Sequence, residues 1–255
     1  METREQQLIS RWEAEERAPF AGWDFAHLDG RMIEEQPLWD YMQRAAELLD
    51  QASAVLDIGT GGGERLLALR AHWPPRVVAT EDYPPNVRLA TERLAPLGVQ
   101  VIQAPVEDVS PLPLAAESID LALNRHSALD IGEIARVLTP GGRLYTQQVH
   151  GLWANDLLEV FGATPAWPEA APARYLGRLQ QAGMTVVDAQ EWQGQLAFTD
   201  VGAVVYYLRA VPWLVRGFSV ASHLGALLAL QQRLDEGEAL AFTARLYMIE
   251  VCKPT

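Results

Sequence analysis

The chain reads as a doubly wound α/β protein. Three observations predict this. From Ala54 onward, strand-like apolar runs alternate with helical patterns. A glycine-rich turn, "DIGTGGGE", follows the first of those runs. A Pro-Gly-Gly turn separates a helical pattern from the next apolar run. Alternation of this kind gives a parallel sheet, with ligands bound beyond the carboxyl ends of the strands.

The elements follow in order. Residues 1–52 predict a helical cap. "EQQLISRWEAEER" is one amphipathic helix, and "PLWDYMQRAAELLDQ" a second with Pro37 in its first turn. The aromatic, turn-rich "APFAGWDFAHLDGRM" lies between them. The core spans 53–255. It runs "AVLDIG" (strand), "GERLLALRAHW" (helix), "RVVATE" (strand), "NVRLATERLAPLG" (helix), "VQVIQAP" (strand) and "IDLALNRH" (strand). "ALDIGEIARVLTPGG" is then a helix ending at Pro-Gly-Gly, and "RLYTQQVH" the fifth strand. "APARYLGRLQQAG" gives a helix and "MTVVDAQEWQG" a strand. A helical lid insertion at about 195–240 precedes the last strand, "ALAFTARLYMIEVCK".

Bulk composition narrows the function. Net charge is -13, with one lysine, which disfavours a nucleic-acid partner because such binding rests on phosphate neutralisation. The single cysteine, Cys252, excludes an internal disulfide and reads as a packed thiol. No apolar run approaches the roughly 20 residues of a membrane span, and the charged N-terminus lacks a signal core, so a cytoplasmic location is expected. No metal site is expected.

The glycine turn discriminates among cofactors. A phosphate-binding loop needs Lys-Ser or Lys-Thr after its glycines, whereas Glu64 and Arg65 follow Gly63. A dinucleotide loop needs a third glycine where Glu64 stands, and an acid there opposes a pyrophosphate at the helix N-terminus. What remains is Asp57-x-Gly59-x-Gly61-x-Gly63, which resembles motif I of the class I S-adenosylmethionine-dependent methyltransferases. That cofactor has no phosphate and carries a sulfonium cation, so bare backbone with an acidic lining suits it.

Further positions extend the resemblance over about 53–150. Glu81 ends the second strand where the family's acid accepts from both ribose hydroxyls, each such bond contributing about 1.5–3 kcal/mol. "DYPPNVRLA", beginning at Asp82, resembles the family's Ser-Pro-x-x-Leu-x-x-Ala stretch, and "VLTPGGRLY" its turn before strand five. "QAPVEDVSPLPLAAESIDLAL" resembles the stretch that contacts adenine. Pro105 replaces the family's aspartate there, leaving Val106 and Glu107 for the base. Asp120 corresponds to an acid that orients the fourth strand.

The resemblance implies a Rossmann-like, mostly parallel seven-stranded sheet with an antiparallel last strand and helical lid elements. It implies S-adenosylmethionine held by Asp57, Gly59, Thr60, Gly61, Gly63, Glu81, Asp82, Val106, Glu107, Asn124 and Arg125. Arg125 faces either the cofactor carboxylate or an anionic substrate. His126 is the general-base candidate because histidine titrates near neutrality, and His150 a weaker one. The expected acceptor is a small molecule, since the aromatics Trp12, Phe20, Trp23, Phe25, Trp39, Tyr206, Tyr207, Trp213 and Phe218 flank the core and a subset of them suits an apolar pocket. RNA or protein methylation, a nicotinamide-dependent reductase and a non-catalytic binding module are the alternatives.

Overall fold

Strand and helix signals become eight strands and nine α-helices in a computed structural model that describes residues 3–20, 23–104 and 111–255. In chain order the strands are β1 (Met32–Glu34), β2 (Ala54–Ile58), β3 (Arg76–Glu81), β4 (Gln100–Gln103), β5 (Ile119–Arg125), β6 (Leu138–Val149), β7 (Thr185–Phe198) and β8 (Leu240–Cys252). The helices are α1 (Arg4–Arg17), α2 (Tyr41–Leu49), α3 (Glu64–Ala68), α4 (Pro84–Leu94), α5 (Ile131–Val137), α6 (Asn155–Val160), α7 (Pro172–Gln181), α8 (Val201–Ala210) and α9 (Leu224–Asp235).

The strands order as β1-β7-β8-β6-β5-β2-β3-β4. The pairs β4–β3, β3–β2, β2–β5 and β5–β6 are parallel, and β8 is antiparallel to β6. This is the doubly wound fold expected, with the antiparallel last strand. The eighth strand is the three-residue β1, which pairs Met32 with Phe198 antiparallel to β7.

Two compact units divide the chain. One, the core unit, comprises 38–149, 170–192 and 246–255; the other comprises 1–37, 150–169 and 193–245.

Within the core unit the parallel strands are apolar on both faces, as strands covered on both sides must be. One face packs Leu56, Ile58, Val78, Ile119, Ala122 and Leu144 with Ile131, Ile134 and Val137 of α5 and Leu179 of α7. The other packs Val55, Val77, Ala79, Leu121, Leu123 and Tyr145 with Ala45, Leu48 and Leu49 of α2 and Ala90 and Leu94 of α4. At about 1.5–3 kcal/mol per fully buried large aliphatic side chain, these two layers dominate the unit's stability. Asp120 ties the strand starts together: its Oδ2 accepts from Ser53 N–H at 2.9 Å and Ala54 N–H at 3.0 Å.

Two boundaries differ from the sequence reading. Helix α2 begins at Tyr41, so Pro37 lies outside it. Asp40 is the reason: its carboxylate accepts from Gln43 N–H at 3.0 Å and so caps the helix there. Helix α5 ends at Val137, and Pro-Gly-Gly belongs to β6. Those glycines pair with the chain's end, Gly141 N–H donating to Lys253 O and Lys253 N–H to Gly142 O, each at 2.8 Å. Cys252, expected to be packed, is half-buried at the end of β8.

In the second unit the aromatics cluster among themselves. Phe20 lies against Trp23, Phe25 and Tyr206, with centroids 5.1–6.2 Å apart, and Trp23 meets Trp213 at 5.7 Å. Phe218 instead joins Phe161 and His223. Trp12 is buried. Arg31 forks onto Asp200 at 2.7 and 2.9 Å, and Asp200 in turn caps α8 through Ala203 N–H. Among the described residues, no helix is long and apolar enough to cross a membrane.

Candidate active site at the carboxyl edge of the core strands

Strand β2 stops at Ile58 because the next five residues are Gly59, Thr60, Gly61, Gly62 and Gly63. Gly59, Gly61 and Gly63 all take the left-handed conformation, with φ of 68°, 62° and 83°. Residues with a Cβ adopt it only at a steric cost, so the alternate spacing seen in the sequence is a conformational requirement. Space adds a second reason at two of them. A Cβ on Gly59 would overlap the Ser127 side chain, and one on Gly63 would press on Leu94 at 2.8 Å.

The loop is fastened to β3. Thr60 N–H donates to Thr80 O at 2.9 Å, and Gly61 N–H to Glu81 Oε2 at 2.7 Å. Glu81 Oε1 accepts from Tyr83 N–H at 3.1 Å. Glu81 is only 6% exposed and has no cationic partner among the described residues. Burial raises its pKa, and the two backbone bonds oppose that rise. The two backbone bonds use one lone pair on each Glu81 oxygen, and the neighbouring Asp82 carboxyl also contacts Glu81 and adds to the rise. Asp82, next in the chain, is exposed.

Asp57, half-buried at the end of β2, is a second acid of this kind. Burial pushes its carboxyl up to about 6, and the charge of Glu81 adds to the rise. Glu64 does not add to this acidic pair, because Arg93 forms an ion pair with it and also donates to Gly62 O at 2.9 Å.

The end of β5 brings Asn124, Arg125 and His126 to the same edge. Asn124 is fully buried. Its Oδ1 accepts from Thr146 Oγ1 at 3.0 Å and Gln148 Nε2 at 2.5 Å, and its Nδ2 donates to Ile58 O at 3.4 Å and Ala128 O at 3.3 Å. All four of its hydrogen-bonding positions are thus used inside the protein, and the side chain braces β5 against β2 and β6.

His126 has φ of 61°, and its N–H donates to Gln147 O at 2.9 Å. The residue is exposed, yet protein atoms crowd its ring. That crowding holds its pKa well below the usual histidine value, and the positive charges of Arg125 and Arg65 act in the same sense.

Val106 and Glu107 lie outside the described residues. His150 belongs to the other unit, where its Nδ1 accepts from Leu152 N–H at 3.0 Å.

The sequence reading missed three groups. Tyr41, on the first turn of α2, is buried, and its phenol pKa is raised by that burial and then by the charge of Asp57; Arg125 and Arg65 act against it. Ser127 covers Gly59. Thr146, Gln147 and Gln148 are all buried at the end of β6. Three successive polar residues in a central strand were the signal, since such strands are otherwise continuous apolar runs.

Residues 56–146 match the family model described as the methyltransferase domain. That match covers 91 of the 255 residues, so the stretch from β2 to β6 is similar to a methyltransferase domain. S-adenosylmethionine is the methyl donor of the class I methyltransferases that the glycine loop resembles. The fold recurs in solved structures. A candidate methyltransferase from Bacillus halodurans C-125 is 18% identical with a TM-score of 0.58, over 84% of this chain and 97% of that one. Geranyl diphosphate methyltransferase in complex with S-adenosylmethionine is 14% identical with a TM-score of 0.50, over 83% and 85%. The [4+2]-cyclase SpnF is 16% identical with a TM-score of 0.51, over 98% and 93%. These are likenesses of fold. No curated protein matches the chain by sequence.

Proposed function

We propose that this protein catalyses transfer of a methyl group from S-adenosylmethionine to a small-molecule acceptor. The observation that carries the reading is Glu81. Two backbone N–H groups orient its carboxylate without exhausting it, and the glycine loop that supplies one of them presents backbone in place of side chains. A buried carboxylate oriented in this way suits a vicinal diol, whose two hydroxyls both donate.

The residues present fit the cofactor. Glu81 would hold the ribose, and Gly59, Thr60, Gly61 and Gly63 would lie along the nucleoside. Asp57 and Arg125 would face the cationic and carboxylate groups of the amino acid end, and Asp82, Val106 and Glu107 the rest of the nucleoside. Asn124 would act through the loop it braces. Two acids without a cationic partner among the described residues favour a positively charged ligand.

When bound, the cofactor supplies a methyl group on a sulfonium, already activated for displacement. The protein's own part is alignment and exclusion of water. A net charge of -13 speaks for a small acceptor over a polyanion.

Calorimetry tests the reading directly. S-adenosylmethionine and S-adenosylhomocysteine should bind and NADH should not; the opposite preference would sink it. A screen of metabolite extracts with a labelled methyl donor should then deliver label to a small molecule rather than to RNA.

A further inference from the structure

The protonation pattern of His126 is decided two hydrogen bonds away. An indole N–H can only donate. Trp39 Nε1 lies 2.8 Å from Gln147 Oε1, so the oxygen of that amide faces the indole. The amide nitrogen therefore faces the other way, 3.0 Å from His126 Nε2. An amide nitrogen donates and does not accept, so Nε2 is the acceptor of this bond. In a neutral imidazole the proton then resides on Nδ1.

Trp39 thus fixes Gln147, and Gln147 fixes the tautomer of His126. A proton arriving at Nε2 would set N–H against N–H and would enter a field to which Arg125 and Arg65 both add positive charge. Nδ1 has no partner among the described residues, and the residue is exposed. A group built this way is a poor proton acceptor and a ready hydrogen-bond donor.

We propose that His126 acts as a hydrogen-bond donor through Nδ1–H rather than as a general base, and that it takes an anionic oxygen of the methyl acceptor, such as a carboxylate. Trp39 and Gln147 are its positioning residues. The ligand class rests on the function proposed above; the tautomer does not. An acceptor of this class brings its nucleophilic electron pair already deprotonated, so no base is required of the protein.

Imidazole nitrogen NMR tests both parts. In histidine-labelled protein, the His126 signals are assigned by their loss in His126→Asn. The expected pattern is a protonated Nδ1 and a bare Nε2 from about pH 6 to 8, the range in which an ordinary histidine would titrate. A protonated Nε2, or titration at the usual histidine value, overturns the assignment.

Gln147→Leu and Trp39→Phe should each introduce a population protonated at Nε2. Trp39→Phe leaves every side chain of the buried Asn124 bracket in place and serves if Gln147→Leu folds poorly. An unchanged tautomer in both variants overturns the positioning roles.

Benzoate, as a probe carboxylate, should shift the Nδ1 proton resonance in protein saturated with S-adenosylhomocysteine, whereas benzylamine should not. If S-adenosylhomocysteine binds and benzoate has no effect, the ligand class is wrong. If S-adenosylhomocysteine does not bind at all, the functional reading fails and the tautomer stands.

Discussion

Two sets of buried and half-buried acids in this protein contrast with each other. Glu250, in β8, is 2% exposed and accepts from two guanidiniums: Arg44 through Nε and Nη2 at 3.0 Å each, and Arg143 through Nη1 at 2.5 Å. In the other unit Asp200 is forked by Arg31, and Glu133 of the core is held by Arg136. Asp200 and Glu133 have pKa values below the usual carboxylate range: the arginine leads at Glu133, while at Asp200 the bonds from Arg31 and the helix outweigh burial. Asp57 and Glu81 have no such partner among the described residues, and their pKa values rise. The first set is neutralised and structural. The second holds charge that the protein has left unbalanced, at the one edge of the sheet where the fold binds ligands.

Breaking the strongest of the paired set should have the largest effect. Glu250→Gln leaves two guanidiniums facing a neutral amide, and a loss of about 1.5–3 kcal/mol in denaturant unfolding is expected. A change below about 1 kcal/mol would place Glu250 outside the structural set.

Asp57→Asn should do the reverse. Between 3.8, the ordinary value, and about 6, the folded chain holds a proton that the unfolded chain has released, so stability falls as pH rises through that window. Removing the charge should therefore stabilise by about 1–3 kcal/mol at pH 8 and by almost nothing near pH 4. Thermal melts across that range would show it, and a variant less stable at pH 8 would contradict the comparison. The same variant should bind S-adenosylmethionine more weakly.

Glu81→Ala should reduce cofactor affinity by roughly tenfold or more, which is about 1.4 kcal/mol, as measured by calorimetry. Unchanged affinity would mean the ribose is held elsewhere.

The smallest effect belongs to Asp200→Ala, at about 1 kcal/mol for the lost cap of α8. The stabilising charge of Asp200 is present above the unfolded carboxylate value and is lost as pH falls through the lower folded one. The gap between wild type and variant should thus narrow in acid.

Much of this was legible in residue order. The strands at Ala54, Arg76, Gln100 and Ile119 declared themselves by apolar runs, and the spacing of Gly59, Gly61 and Gly63 by a backbone need that only glycine meets cheaply. Glu81 was legible because its place at a strand end fixes what it faces. The rest depended on contacts distant in sequence. Strand β1 is three residues long and exists through pairing with residues 196–198, which no local pattern announces. The bonds that Thr146 and Gln148, on the next strand, make to the oxygen of Asn124 were likewise hidden in residue order. The donor role proposed for His126 rests on Gln147, 3.0 Å away on the next strand, a contact that residue order does not announce.

The bracket around Asn124 has a consequence for how such proteins diverge. Its oxygen serves Thr146 and Gln148, and its nitrogen the carbonyls of Ile58 and Ala128, so four groups share one amide. A lineage cannot exchange Asn124, Thr146 or Gln148 singly without stranding a polar atom in the interior. The tips of β5 and β6 should therefore be inherited as a block, and new acceptor preferences should arise by changes around that block rather than within it.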